Sequence, residues 1–86
     1  MRIAVIGTGY VGLVSGACFA DMGNKVICVD CDTQKVAQLH QGNIPIHEPG
    51  LDKIVARCLQ DGRIQFTTSY EEALRDASIV FIAVGT

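Results

Sequence analysis

Four glycines lie within eleven residues near the start of the sequence, at positions 7, 9, 12 and 16 of "IGTGYVGLVSG". The residues between them are mostly apolar, so the stretch does not have the composition of a flexible linker. Three of them, Gly7, Gly9 and Gly12, fit the spacing GxGxxG, which cradles a pyrophosphate when it joins a strand to a helix. In that setting Gly7 makes the tight turn, Gly9 lets the backbone approach the pyrophosphate, and Gly12 lets the helix pack closely on the sheet. We expect Gly16, one helical turn later, to extend that contact.

The pyrophosphate is expected at the start of the following helix. Backbone N–H groups there have no partner within the helix, and the helix dipole favours an anion. Tyr10 and Val11 would therefore act through their backbone. Asp30 lies 18 residues beyond Gly12, after a second apolar run, where a carboxylate can accept both hydroxyls of an adenosine ribose. The alternative for Asp30 is a helix cap or a solvated strand end, and the complete pattern favours the ribose role.

The acidic residues also select between the two nicotinamide dinucleotides. A 2′-phosphate would meet the like charges of Asp30 and Asp32, and no arginine is close in sequence to receive it. The residues therefore predict NAD as the cofactor. From its position alone, Lys35 could equally reach the edge of the ribose or be a solvated helix lysine.

The elements around this motif follow from the apolar runs and their stops. Continuous apolar runs without alternation are typical of strands that are covered on both faces, as in parallel sheets. Glycines, prolines and cap residues separate these runs from segments with helical spacing. Asp32 or Thr33 is expected to cap the second helix, and Ser69 to Glu72 is expected to form a capping box over the fourth. We predict strands at 2–7, 25–30, 63–68 and 78–85, helices at 10–22, 33–42, 51–62 and 69–77, and a loop at 43–50. Right-handed crossovers then give an α/β, Rossmann-type doubly wound parallel sheet with strand order 3-2-1-4, incomplete at about four strands.

Composition excludes several classes of protein. Hydrophobic residues make up 49% and charged residues 19% of the 86, which is typical of a globular chain. A net charge of −2 with scattered basic residues argues against a nucleic-acid or membrane partner. The glycines interrupt the first apolar run, which argues against a signal peptide or a spanning helix. A domain of this class needs about 100–150 residues, so we expect residues 1–86 to be the N-terminal portion of a larger NAD-binding domain.

The remaining reactive side chains do not form a pattern with chemistry of its own. Cys28 and Cys31 form a CxxC, but in a strand they point to opposite faces, and the two other cysteines, at 18 and 58, do not complete a zinc site. We expect four reduced, mostly buried thiols in a cytoplasmic protein. His40 and His47 lack partners at metal spacing, and Glu48 is expected to cap the following helix. No catalytic residue and no metal ligand is assigned.

Three stretches together carry a resemblance to a known family. "MRIAVIGTGYVGLVSGACFADMGNKVICVD", "IPIHEPGL" and "FIAVGT" resemble the N-terminal part of the UDP-glucose/GDP-mannose dehydrogenases, over essentially all 86 residues. His47 departs from the pattern, since an aromatic tyrosine is more usual there. This affects the packing of the loop and leaves the cofactor site unchanged.

The resemblance implies a two-step, NAD-dependent oxidation of a sugar C6 alcohol to a carboxylate. Within the family the resemblance favours UDP-glucose as the substrate and UDP-glucuronate as the product. It carries over the glycine turn with Val11, Asp30, Lys35 and Thr86, which follows the last strand. Thr86 is a reasonable position because ligands lie beyond the carboxyl ends of strands in such sheets. The nucleophilic cysteine and its partners are expected beyond residue 86, as are a homo-oligomeric state and the sugar-nucleotide-binding domain. The 86 residues alone are therefore expected to show weak or no activity.

Two functions of different class follow. The first is the NAD-binding part of a nucleotide-sugar dehydrogenase. The second is a free-standing regulatory module that senses NAD without catalysis. A related dehydrogenase of hydroxy acids or acyl thioesters shares the glycine turn, but the "EPGL" loop argues against it.

Overall fold

A computed structural model describes residues 1–84, which form a four-stranded parallel sheet with four helices. The strand order is β3-β2-β1-β4, as the sequence predicts. In chain order the elements are β1 (Arg2–Ile6), α1 (Tyr10–Asp21), β2 (Lys25–Val29), α2 (Thr33–His40), α3 (Leu51–Gln60), β3 (Ile64–Thr67), α4 (Tyr70–Leu74) and β4 (Ile79–Ile82). Each lies within its predicted range. Gly85 and Thr86 lie outside the described residues.

The register of the sheet brings the ends of all four strands to one edge. Ile6, the last residue of β1, is paired with Val29 in β2 and Ile82 in β4, while Val29 is paired with Thr67 in β3. Because the strands are parallel, the loops that follow them leave from the same side. This edge is where ligands bind in doubly wound sheets.

The strands alternate their side chains between two apolar layers. On one face, α1, α2 and α3 cover residues such as Val5, Cys28 and Phe66. On the other face, Ala73 of α4 packs against Ala4 and Val29. Helices on both faces explain why the strands of the sequence read as continuous apolar runs. At the edge of the sheet the covering is thinner, and Ile82 in β4 is 71% exposed, as we expect for an apolar edge strand.

Two of the three side chains that the sequence predicts as helix caps do cap their helices. The Asp32 carboxylate caps α2 by accepting from the N–H groups of Gln34 and Lys35 at 3.0 and 3.2 Å. Ser69 caps α4 by accepting from the N–H of Glu72 at 3.1 Å. The third prediction, that Glu48 caps α3, is wrong. The residue before α3 is Gly50, with φ of +84° and no side-chain cap, and the Glu48 carboxylate accepts instead from the Tyr10 hydroxyl at 3.2 Å.

The cysteines are divided between the core and the surface. Cys28 and Cys58 are buried, while Cys18 and Cys31 are exposed, and all four are free. The prediction of mostly buried thiols is therefore wrong for half of them. For Cys18 the long apolar run of α1 caused this error, because a helix that is apolar almost all round gives no sign of which face is exposed. Cys31 was expected within the second strand, but that strand ends at Val29, so Cys31 lies outside the sheet. Within residues 1–84, no helix is long and apolar enough to span a bilayer.

Candidate functional site

The glycine turn connects β1 to α1 at the carboxyl edge of the sheet. The Gly7 N–H donates to the carbonyl of Val29 at 2.8 Å, which ties the turn to the end of β2. Gly7 has a backbone φ of +101°, a conformation that residues other than glycine rarely adopt. A Cβ on Gly12 would lie 1.9 Å from the Gly7 carbonyl oxygen. Both glycines are therefore required by the backbone path itself, as the motif predicts.

Gly9 differs from its two neighbours because space is open beside it. A Cβ built on Gly9 meets no atom within 4 Å. Its φ of −71° and ψ of −166° are open to any residue, so the fold itself does not require glycine there. Glycine at this position leaves room for something outside the chain to approach the backbone.

The start of α1 presents an unneutralised positive pole beside that space. Gly9 is the N-cap and provides no side-chain acceptor, and the first turn contains no acid. The other helices are different, since Asp32 caps α2, Ser69 caps α4, and α3 has Asp52 in its first turn. The first N–H groups of a helix have no intrahelical partner. Those of α1 are thus available to an anion.

Asp30 follows β2 and turns its carboxylate toward the glycine turn. Its Oδ2 accepts from the Thr8 hydroxyl at 2.6 Å and from the Thr8 N–H at 3.2 Å. Its Oδ1 accepts from the N–H of Asp32 at 3.0 Å. The Lys35 Nζ lies 3.8 Å from Oδ2. Partial burial alone would raise the pKa of the Asp30 carboxyl, but the hydrogen bonds from Thr8 and Asp32, together with Lys35, outweigh it and lower the pKa.

These groups surround one open cleft. Its volume is about 250 Å³, and it extends from the end of β1 across β2 to the residue that begins α4. The lining residues are Gly7, Thr8, Gly9, Val29, Asp30, Cys31, Lys35, Tyr70, Ala83 and Val84. An anion site at one end and a hydrogen-bond acceptor at the other match the diphosphate and ribose of a dinucleotide.

The structure brings most of the predicted site residues together. Gly7, Gly9, Asp30 and Lys35 line the cleft. Gly12 supports the turn from behind, and α1 begins with Tyr10 and Val11, whose side chains are 53% and 58% exposed. Thr86 falls outside the described residues.

Sequence reasoning did not assign six of the residues that line the cleft, and two of these six, Thr8 and Tyr70, carry hydroxyl groups. Thr8 occupies a position that GxGxxG leaves unspecified, and a hydroxyl there was the only available signal. Tyr70 follows β3, and the predicted strand order places the end of β3 beside that of β2, so topology could have found it.

The histidines stay away from the cleft. His40 is exposed, with its ring edge-on to Phe66 at 6.1 Å between ring centres, and His47 is exposed in the loop before α3. In the part of the chain that the structure covers, no group of three potential metal ligands comes together.

Comparison with known proteins agrees with this geometry. The sequence model described as "UDP-glucose/GDP-mannose dehydrogenase family, NAD binding domain" matches residues 1–86. The chain is 57% identical over 86 residues to a UDP-glucose 6-dehydrogenase of Pseudomonas aeruginosa, covering all of this chain and 19% of that protein. It is 55% identical over 85 residues to UDP-glucose 6-dehydrogenase TuaD of Bacillus subtilis, covering 99% of this chain and 18% of that protein.

Solved structures give the same result. A ternary complex of GDP-mannose dehydrogenase from Pseudomonas aeruginosa superposes with a TM-score of 0.95 at 42% identity, over 100% of this chain and 20% of that one. A UDP-glucose dehydrogenase from Pyrobaculum islandicum superposes with a TM-score of 0.92 at 41% identity, over 99% of this chain and 20% of that one. The chain thus spans about a fifth of the length of these relatives.

Proposed function

The chain belongs to the UDP-glucose/GDP-mannose dehydrogenase family, as its NAD binding domain, and from this premise we propose that it forms the cofactor site of an enzyme that oxidises UDP-glucose to UDP-glucuronate in two NAD-dependent steps. The observation that carries the proposal is the uncapped start of α1 beside the open Gly9 position, in the same cleft as the Asp30 carboxylate. The relatives named as UDP-glucose 6-dehydrogenases support the substrate. None of the relatives above favours the NAD-sensing alternative.

The diphosphate is assigned to the start of α1. The backbone N–H groups of Tyr10 and Val11 face an anion there without an acid to repel it. Gly9 keeps the approach open, while Gly7 and Gly12 fix the turn that aims these groups. This assignment uses the backbone of α1, so the side chains of Tyr10 and Val11 are not required for it.

The adenosine half is assigned to the end of β2. Asp30 is assigned to accept a ribose hydroxyl, and Lys35, 3.8 Å from the Asp30 carboxylate, borders the same part of the cleft. The strand ends follow one another in the order β1, β2, β3. A nucleotide that begins at α1 and passes Asp30 therefore places its base toward Tyr70, whose ring is 48% exposed in the cleft. Thr86 remains part of this proposed site.

NAD supplies the hydride acceptor when it is bound, and this chain's residues hold and orient its diphosphate and adenosine. We assign no catalytic residue to residues 1–86. The proposal places the nucleophile and the sugar-nucleotide-binding domain in other parts of a longer, homo-oligomeric protein. A cytoplasmic location is consistent with free thiols at exposed Cys18 and Cys31.

Calorimetric titration of the full-length protein with NAD and NADP tests the site. We expect NAD to bind and NADP to bind much more weakly. Asp30→Ala should weaken NAD binding about ten- to hundredfold, the loss expected for hydrogen bonds to a charged group. Asp76→Ala is the control, because it also removes one carboxylate, but Asp76 pairs with Arg2 at the opposite end of the sheet.

The substrate is tested in the same preparation by following NADH formation with UDP-glucose. Two equivalents of NADH per UDP-glucose are expected. NADP binding as tight as NAD, or unchanged NAD binding by Asp30→Ala, would contradict the cofactor site. NAD binding without turnover of UDP-glucose would leave the cofactor site standing and overturn the substrate.

A further inference from the structure

We propose that Thr8 is a positioning residue, whose buried hydroxyl holds the Asp30 carboxylate in one orientation before the cofactor arrives. The inference rests on the proposed function, since Asp30 is the group proposed to receive the ribose. It adds a role for a residue that the glycine motif leaves unspecified. The observations that carry it are the burial of Thr8 and its two contacts with one carboxylate oxygen.

Thr8 is unusual in its burial. It is 1% exposed, and within residues 1–84 it is the one polar or charged residue in the buried class. A hydroxyl in such a place costs free energy unless it makes a hydrogen bond. Its partner is Asp30 Oδ2 at 2.6 Å, a length typical of a hydroxyl donating to a charged oxygen. The hydroxyl is therefore committed to Asp30, 22 residues away in sequence.

The hydrogen bonds fix which oxygen of Asp30 remains available. An ionised carboxylate offers about four acceptor positions, two on each oxygen. Thr8 fills both positions on Oδ2, through its hydroxyl at 2.6 Å and its N–H at 3.2 Å. The N–H of Asp32 fills one position on Oδ1. The open position thus lies on Oδ1, and the carboxylate cannot rotate without breaking the short contact with Thr8.

Every residue at position 8 would supply the backbone N–H, except proline, but few would supply the hydroxyl. A valine has nearly the same shape as threonine and would fill the same space, without a donor. The hydroxyl is thus separable from the packing of the turn. That separation lets an experiment distinguish a positioning role from a structural one.

The other charged and titratable groups near Asp30 are few. Lys35 of α2 approaches Oδ2 at 3.8 Å, Asp32 lies two residues along and caps α2, and Cys31 and Tyr70 line the same cleft. The Lys35 ammonium and the Thr8 hydroxyl both favour the ionised carboxylate, while Asp32 opposes it by charge. Hydrogen bonds from Thr8 contribute to the lowered pKa of Asp30. Removing the hydroxyl therefore raises that pKa, and the carboxylate becomes protonated at a higher pH.

The test compares Thr8→Val with Thr8→Ser in the full-length protein, by titrating NAD at several pH values between about 3 and 8. Thr8→Val removes the hydroxyl and keeps the shape, and Thr8→Ser keeps the hydroxyl. We expect Thr8→Val to bind NAD about tenfold more weakly at pH 7, because a charge-assisted hydrogen bond that orients Asp30 is lost. We also expect the acidic limb of its binding profile to move to higher pH. Thr8→Ser should stay within about threefold of the original protein.

Thr68→Val provides the matched control. Thr68 is exposed just after β3, at the same edge of the sheet, and its side chain makes no hydrogen bond among residues 1–84. It should bind NAD as the original protein does. Thermal unfolding of all variants reports separately on folding.

Two results overturn the inference. One is an unchanged affinity and pH profile in Thr8→Val. The other is an equal loss in Thr8→Val and Thr8→Ser, with or without a lower melting temperature, since shape rather than the hydroxyl would then matter. If the original protein binds no NAD at any pH, the proposed function fails first and the inference with it. These three results are distinct in the same titrations.

Discussion

Alanine at Gly12 and alanine at Gly9 add the same methyl group to one turn, and we expect opposite consequences. At Gly12 the new Cβ would lie 1.9 Å from the Gly7 carbonyl oxygen and 3.3 Å from the Cβ of Ala83. Real Cβ contacts stay above 3.0 Å, so the turn has to move by about an ångström. Overpacking of this kind costs about 1–3 kcal/mol, and more where backbone must shift. We expect a loss of about 3 kcal/mol or more in the free energy of unfolding.

At Gly9 the same methyl group meets no protein atom within 4 Å. Alanine is a poorer N-cap than glycine, but it also reduces the entropy of the unfolded chain, and each effect is below about 1 kcal/mol. Folding should therefore change little. The methyl group instead occupies the space through which a diphosphate approaches the start of α1. NAD binding should weaken about ten- to hundredfold, the size of losing hydrogen bonds to a charged ligand.

The assay pairs denaturant unfolding with calorimetric titration of NAD in the full-length protein. Gly12→Ala should unfold at a lower denaturant concentration, and Gly9→Ala should unfold as the original protein does but bind NAD poorly. Normal NAD affinity in a well-folded Gly9→Ala protein would refute the position assigned to the diphosphate. Normal stability in Gly12→Ala would refute the geometry of the turn.

Two further predictions concern the core. Burial raises the pKa of the Cys28 thiol to about 12. An alkylating reagent at pH 8 should therefore modify exposed Cys18 and Cys31 in the native protein and leave Cys28 unmodified until the protein unfolds, as counted by mass spectrometry. Equal rates of modification at all three cysteines would contradict this. Leu39 of α2 is fully buried, so Leu39→Ala should lower the free energy of unfolding by about 2–5 kcal/mol in denaturant titrations, and a loss below about 1 kcal/mol would contradict its place in the core.

The order and topology of the elements could be predicted because each signal is local. Apolar runs end at glycines, and the structure shows why. Gly23 and Gly42, which follow α1 and α2, have φ of +104° and +83°, a conformation that glycine adopts without strain. Ser69 caps α4 from its predicted position. Where the role of a residue depends only on its neighbours in sequence, the sequence pattern is sufficient to predict that role.

Contacts between distant segments could not be predicted in this way. Glu48 is an acidic residue just before α3, where a helix cap is expected, but its carboxylate bonds to the hydroxyl of Tyr10, 38 residues away. The full capping box after Ser69 also failed to form, because Glu72 accepts from the Thr67 hydroxyl at 3.3 Å instead. Glu48 thus bonds to a partner far away in sequence, which spacing does not describe, and Glu72 bonds to a second local partner five residues away.

The spacing of the glycines and the acid after β2 predict the diphosphate and ribose positions one at a time, and both stay predictions. The spacing does not predict the coupling between Thr8 and Asp30. The contact between Thr8 and Asp30 exists because β1 and β2 end side by side, with Ile6 opposite Val29. That juxtaposition is a property of the register, and a spacing motif written along one segment does not contain it.

The coupling bears on the choice between NAD and NADP. In the proposed site the start of α1 binds the diphosphate that both dinucleotides share, so the choice would depend on Asp30. The Lys35 ammonium, 3.8 Å from Asp30, attracts an added phosphate and by itself would weaken the selection. What opposes it is an ionised carboxylate that stays in place, and the hydrogen bonds from Thr8 and Asp32 hold it there. Selection against the 2′-phosphate therefore depends on how firmly the acid is held as much as on the presence of an acid.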